Sequence, residues 1–285
     1  MRKVKWTLLY GGHCKQPEKM VLSHRPWRQR ILPALFSLIE HPTQGIILFD
    51  TGYSTAFFSA TQTFPYRLYR YVTPVTFSEQ QAAKSQLKRL GYSSKDVKFV
   101  ILSHLHADHI CGANDFPTAT FLATRTAYDV VAHKKGLAAL RNGFLPSLLP
   151  TDFLQRVQWI EHKNQIALTD DFSPFTNGYD LFEDQSIIAV DLPGHAAGQI
   201  GLFLHTVDDQ TVFLVADGCW TSESYQFNQQ PHWLTKLITH DAQAYQQTFR
   251  RIYQFAQQHP EVQIVPSHCL KTWNKIQADG KREAP

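Results

Sequence analysis

Between Ser103 and His109 the chain reads Ser-His-Leu-His-Ala-Asp-His, which gathers His104, His106, Asp108 and His109 into six consecutive positions. The segment follows an apolar run, Val97 to Leu102, that reads as a buried strand. Side chains two apart on extended backbone point to the same side, so His104 and His106 can share one metal ion. A helix beginning after them would re-aim Asp108 and His109 towards a second ion. Imidazole nitrogens and carboxylate oxygens suit zinc, with iron, manganese or cobalt as alternatives, and need no thiolate. Three more ligand-type residues close apolar stretches: His195 within Pro193-Gly-His-Ala-Ala-Gly198, Asp217 after Val212 to Ala216, and His268 after Val262 to Val265. Ligands that recur at strand ends are what a site along one edge of packed sheets requires. Lone histidines such as His205 and His240 read as surface or satisfied core residues. Asp50, in Asp50-Thr-Gly52, is by itself a turn residue.

The elements that must carry these residues can be traced in outline. Trp6 to Tyr10, Leu35 to Glu40 and Ile46 to Phe49 read as strands, the last closed by the turn at Asp50. Phe57 to Tyr71 is aromatic and broken by Pro65, an irregular excursion with short helical pieces. Ser78 and Gln81 have capping-box spacing ahead of Ala82, Leu87 and Leu90, and Gly91 stands where a helix should stop. Thr118 to Ala123 reads as a strand and Arg125 to His133 as a helix. Residues 134–180, with Pro146, Pro150 and Pro174, read as a cap or insertion. Strands return at Ser186 to Asp191, Ile200 to His205 and Thr211 to Ala216, with Asp208-Asp209 as a hairpin turn. Asp241 caps a helix that runs to about Gln258. This order predicts an α/β fold with two sheets and helices outside them, as a single domain over residues 1–285.

Composition narrows the classes. Hydrophobic residues make up 43%, enough for a sizeable core, while charged residues are only 18% and aromatics reach 13%. That balance predicts large apolar walls in the core or around a pocket. The longest apolar run, Ile31 to Ile39, is interrupted by Pro33 and Ser37, so no membrane span is expected. Basic Met1 to Tyr10 is too short in apolar residues for a signal peptide, and the expected location is the cytoplasm. The net charge of +4 comes from scattered basic pairs rather than a stripe, which argues against a nucleic-acid partner. Cys14, Cys111, Cys219 and Cys269 form no Cys-x-x-Cys pair and read as free thiols. Cys111, Cys219 and Cys269 lie near ligand candidates in sequence, but a thiolate ligand is the minor reading.

In these motifs the chain resembles the metallo-β-lactamase superfamily of binuclear metallohydrolases. The His-x-His-x-Asp-His motif stands as His104 to His109, Gly-His-x-x-Gly as Gly194 to Gly198, the later Asp as Asp217, the last His as His268 and the early Asp-Thr-Gly as Asp50 to Gly52. The resemblance implies a four-layer αβ/βα sandwich of two mixed β-sheets with helices on the outer faces. It implies two divalent ions, one on His104, His106 and His195, the other on Asp108, His109 and His268, with Asp217 bridging them. Asp50 is expected to support the ligands from behind. Two such ions can share a water, and the bridging hydroxide is the implied nucleophile, with Asp108 as catalytic proton shuttle.

Within that superfamily the style is closest to the N-acyl homoserine lactonase-like group. The expected activity is opening of a lactone or ester bond in a small acyl substrate. One departure is Trp220, three residues after Asp217, where those lactonases often carry Tyr. Trp220, the aromatic segment 57–71 and residues 134–180 are expected to wall an apolar substrate pocket. A phosphodiesterase on the same site is the alternative, and a non-catalytic binding module is a third. A small molecule is the expected partner, with no membrane, and a homodimer is left open.

Overall fold

Along the buried strands, successive side chains go to opposite faces, and both faces are covered. Ile47, Phe49 and Ile101 enter one apolar layer with Ile187, Leu202, Leu204 and Leu214. Their neighbours Leu48 and Val100 enter a second layer, with Leu87, Ile110, Val131 and Phe153. Phe203, Phe213 and Val215 enter a third, against Phe249, Ile252 and Phe255. Three cores in series mean helix, sheet, sheet, helix. This is the four-layer sandwich that the family resemblance implied.

The computed structural model describes residues 2–283, with side chains through Asp279. In chain order the strands are β1 Lys5–Pro17, β2 Gln29–His41, β3 Gly45–Phe49, β4 Val75–Thr76, β5 Val97–Ile101, β6 Thr120–Ala123, β7 Val157–Trp159, β8 Asn164–Ala167, β9 Asn177–Asp180, β10 Ile187–Asp191, β11 Ile200–His205, β12 Thr211–Ala216 and β13 Gln263–Pro266. One sheet has the order β4-β1-β2-β3-β5-β6-β7 and the other β13-β12-β11-β10-β9-β8. Both are mixed. β3, β5, β6 and β7 run parallel, as do β12 and β13, while the remaining pairings are antiparallel.

Two strands are longer than expected from the sequence. β1 runs through Gly11-Gly12 by means of a bulge between Tyr10 and His13, and β2 starts at Gln29 rather than Leu35. Pro33 stands opposite His13, the first paired residue after the bulge. Residues 134–180 divide in a way that their prolines do not announce. The first part holds short helices at Gly136–Leu140 and Phe153–Arg156. The second part supplies sheet edges: β7 pairs with β6, and β8 and β9 extend the other sheet beyond β10. The strands within 157–180 are therefore part of the two sheets.

The helix Ala242–Gln258 closes the third core. The Asp241 carboxylate caps it by accepting from the Gln243 and Ala244 amides, at 2.9 and 3.0 Å. Phe255 on this helix meets Phe203 and Phe213 at ring-centroid distances of 5.2 and 5.3 Å. Removing that ring leaves a cavity that a close-packed aromatic cluster cannot refill. Phe255→Ala should therefore lower unfolding stability by about 3–5 kcal/mol, read as a fall in the urea midpoint. A midpoint shift equivalent to under about 1 kcal/mol would mean that the helix is not integral to the core.

Candidate metal centre

The His-rich segment begins where β5 ends. After Ile101 the chain bends at Ser103, and His106, with extended backbone at φ −71 and ψ 153, precedes a one-turn helix, Ala107–Ile110. His104 and His106 thus project from the segment before the helix, while Asp108 and His109 project from its turn. β10 delivers His195 through a loop whose Gly194 has φ +126. A Cβ there would lie 2.1 Å from the Tyr245 amide nitrogen, so only glycine lets this loop seat on the start of the Ala242–Gln258 helix. β12 ends at Ala216, itself at φ +46, and presents Asp217. β13 ends two residues before His268.

These four chain segments meet at one edge of the sandwich. One ligand atom from each of His104, His106, His195 and Asp217 lies within 4.8 Å of the others, and the same holds for Asp108, His109 and His268. The Asp217 carboxylate joins the two groups: His195 Nε2 is 3.1 Å from it, His268 Nε2 3.2 Å and His109 Nε2 3.5 Å. His106 Nδ1 and His195 Nε2 face each other at 3.0 Å. Among the described residues no cysteine belongs to either group, in agreement with the reading of Cys111, Cys219 and Cys269 as buried free thiols.

The partners behind the rings settle which nitrogen is available. Asp50, 1% exposed and at φ +61, accepts from the Ser103 amide and hydroxyl, both at 2.8 Å, and from His109 Nδ1 at 2.7 Å. With its proton given to Asp50, the Ser103 oxygen is left to accept from His104 Nδ1 at 3.0 Å. His268 Nδ1 donates to the Pro33 carbonyl at 2.7 Å. Each ring therefore turns Nε2 inward, the outer hydrogen bond fixing orientation. His104 Nε2, His109 Nε2 and Asp217 Oδ1 are buried with no hydrogen-bond partner. Buried polar atoms are seldom left so. Converging orphan donor atoms from imidazole and carboxylate fit divalent cations.

Charge in this cluster is finely opposed. Burial and then neighbouring imidazoles push the His104 and His106 pKa well below the ordinary value, leaving both neutral. Burial opposes charge on His109 and His268 as well, but carboxylates outweigh it: Asp50, Asp108 and Asp217 hold His109 well up, and Asp217 lifts His268 to about 9. Burial would raise the Asp217 pKa, yet His268, His195 and His109 hold it well below the usual carboxylate range.

Beside the cluster lies a cavity of about 520 Å³ walled by Leu32, Leu68, Val72, Leu140 and Trp220. Trp220 sits where the sequence placed a pocket residue, and its Nε1 also donates to Asp217 at 3.2 Å. Tyr69 and Cys14, which the sequence reading did not single out, line the same cavity. Burial, with Asp108 adding to it, drives the Tyr69 hydroxyl pKa well up, so it remains a hydrogen-bond donor. Also missed were Ser103 as a link between Asp50 and two histidines, the Pro33 carbonyl, and Gly143. At φ +60, Gly143 packs on His106 so closely that a Cβ would approach the ring to 2.5 Å. Its carbonyl accepts from the Ala107 amide at 3.0 Å. Asn142-Gly143 is a turn signal in sequence, but nothing there ties it to His106.

A family comparison agrees with this architecture. Residues 31–256 match the metallo-beta-lactamase superfamily, and the chain belongs to that superfamily. It is similar to the N-acyl homoserine lactonase AttM of Agrobacterium fabrum, at 24% identity over 245 residues, 85% of this chain and 84% of the relative. It is similar to the N-acyl homoserine lactonase AiiA of Bacillus thuringiensis subsp. kurstaki, at 25% identity over 217 residues, 76% of each chain. Among solved structures, an N-acyl homoserine lactone hydrolase with N-hexanoyl-L-homoserine at its catalytic metal centre shares the fold at TM-score 0.73 and 20% identity, over 96% of this chain and 97% of that one. The dizinc quorum-quenching lactonase AidC shares it at TM-score 0.61 and 15% identity, over 94% and 88%. Among the described residues no helix is long and apolar enough to cross a membrane.

Two predictions follow from this geometry. Gly143→Ala should displace His106 and cut bound metal well below that of the unaltered chain, by elemental analysis, while far-UV circular dichroism is retained. Full metal content in that variant would show that His106 tolerates the shift. Metal ions need ring lone pairs, whereas His109 and His268 are held protonated near neutral pH in the metal-free chain. Loading the metal-free chain at pH 7.5 should therefore release protons, measurable with an indicator in weak buffer, and apparent affinity should fall as pH falls. Loading without proton release would contradict the charge assignment.

Proposed function

We propose that this chain is a metal-dependent hydrolase that opens a lactone or ester bond in a small acyl substrate. The observation that carries this reading is the pair of ligand groups joined through Asp217 at the foot of an apolar-walled cavity. In this reading His104, His106 and His195 hold one divalent ion, Asp108, His109 and His268 hold a second, Asp217 lies between them, and zinc is the first choice. Bound there, the ions would polarise the substrate carbonyl and acidify water.

The protein's own contribution is orientation and proton movement. Asp50 and Ser103 hold His104 and His109 in the tautomers that leave Nε2 free. Trp220 Nε1 pins one oxygen of Asp217. The Asp108 carboxylate lies 3.5 Å from His268 Nε2 and 3.8 Å from His109 Nε2, and it lines the cavity. It can take the proton from the attacking water and return it to the leaving alkoxide as the carbonyl–oxygen bond breaks. The Tyr69 hydroxyl supplies a donor inside the cavity, in a site where Trp220 has already committed its N–H. Leu32, Leu68, Val72 and Leu140 offer contact to an acyl chain.

The apolar walls favour an acyl substrate over a phosphodiester, and the likeness to proteins named N-acyl homoserine lactonase supports a lactone among the candidates. A panel of acyl lactones, esters, thioesters and phosphodiesters on metal-loaded protein tests the reading. Lactone or ester turnover should dominate and disappear with chelation, and faster phosphodiester cleavage would overturn it. Tyr69→Phe should lower kcat about tenfold if its hydroxyl meets the reacting carbonyl, in keeping with loss of one donor to a developing oxyanion. Trp220→Phe keeps the wall but frees Asp217, so it should lower metal affinity with little change in KM. A raised KM with full metal content would limit Trp220 to substrate contact.

A further inference from the structure

A second cleft adjoins the metal centre, and its chemistry is opposite to that of the first. It has a volume of about 380 Å³ and shares His106, His195, Arg141 and Ile238 with the apolar cavity, so the two meet at the cluster. Its polar lining is Lys134, Arg141, Asn142, Thr239 and His240, with no Asp or Glu.

One of the two basic groups here is tied to the wall. Lys134 Nζ donates to Asn142 Oδ1 at 3.1 Å, which keeps the ammonium at the wall. Arg141 follows the helix Gly136–Leu140 and lies two residues before Gly143, the glycine packed against His106. The metal motif thus fixes the turn that carries Arg141. Among the described residues no carboxylate pairs with Arg141, which stands exposed at the mouth of the cleft. A guanidinium and an ammonium lining one cleft that has no Asp or Glu of its own form a receptor for an oxyanion.

We propose that the substrate is two-armed. The apolar acyl arm occupies the cavity of Leu32, Leu68 and Leu140, the scissile carbonyl lies over the cluster, and the other arm carries an oxyanion (carboxylate, sulfonate or phosphate) held by Arg141 and Lys134. This inference rests on the acyl-hydrolase reading and narrows its substrate to anionic acyl esters or lactones. It assigns Arg141 to specificity rather than to the chemical step. The neutral small ring of a simple lactone would leave that receptor unfilled.

The test compares two probes with the same acyl chain, each kcat/KM being divided by that ester's own rate of alkaline hydrolysis, because a methylsulfonyl group makes a better leaving group than a sulfonate. One is 4-(hexanoyloxy)benzenesulfonate, whose sulfonate is a weak metal ligand, and the other is the neutral 4-(methylsulfonyl)phenyl hexanoate. On metal-loaded protein the sulfonate should be favoured about tenfold in kcat/KM, mainly through KM, and added salt should shrink the ratio. Arg141→Ala should bring the ratio near one, Arg141→Lys should restore part of it and Arg141→Glu should invert it. A ratio near one in the unaltered protein, or one insensitive to all three variants, overturns the proposal. Should neither ester nor any acyl lactone be hydrolysed, the acyl-hydrolase reading fails. Calorimetric binding of the corresponding hexyl ethers then still decides the subsite, with about tenfold tighter binding of the sulfonate that Arg141→Ala removes if the receptor exists, and equal binding if it does not.

Discussion

The Asp217 carboxylate, 3% exposed and surrounded by imidazoles, is the interaction on which the site depends. An isolated carboxylate at that depth would be expensive to bury. His109, His195 and His268 make it tolerable, and they approach it from three different segments of chain. Both sheets must therefore end at the same edge, and the ends of β5, β12 and β13 must be held in register with one another. The three apolar layers supply that register. Ile101 and Leu214 lie in the layer between the sheets, a few residues from His104 and Asp217 respectively. Packing in the cores and charge at the edge are thus parts of one constraint.

A second tier transmits this constraint to individual atoms. Asp50 stands in left-handed backbone after β3, a conformation that costs energy in a residue with a Cβ. In return its two oxygens engage the Ser103 backbone, the Ser103 hydroxyl and His109. The hydrogen bonds hold three neighbouring groups with one side chain, and β3 pairs directly with β5, so the hub and the motif move together. His268 obtains the same service from the Pro33 carbonyl in β2. His109 and His268 are thus orientated by groups that β3 and β2 bring from elsewhere in the chain, which ties the cluster to more than one strand of the sheet.

Much of this was legible in sequence because the informative residues are local. His104 to His109 lie on one short segment, and an extended run turning into a helix dictates which residues share a side. His195, Asp217 and His268 stood out because each closes an apolar strand. What stayed hidden depends on backbone or on distance. The Pro33 carbonyl is invisible in a list of side chains, and its partner is far along the chain. Gly143 reads as an ordinary turn until His106 is packed on it. The strand ends were misjudged at Gly11 and Gln29 because a bulge, which breaks period-two alternation, lets β1 and β2 continue past residues that would stop an unpaired strand. Within 134–180 the short, half-exposed edge strands β7 to β9 carry too little alternation to separate them from a cap, although tertiary pairing makes them part of the sheets.

Ligand-type residues and cavity walls come from different parts of the chain. The ligands and their supporting hydrogen bonds come from strand ends that the cores hold rigidly. The walls beside them come in part from short helices at 67–72 and 136–140 and from the stretch around Ile238, and in part from Leu32 on β2 and from Trp220, which packs on the same apolar layer as Leu32. Gly143, packed on His106, and Trp220, bonded to Asp217, couple wall and cluster closely. Leu68, Val72 and Ile238 line the cavity without bonding to the cluster, so apolar substitutions there change the wall first. Under the proposed oxyanion arm, Arg141 stands two residues from the glycine packed on His106 and outside the hydrogen bonds that orientate His104, His109 and His268.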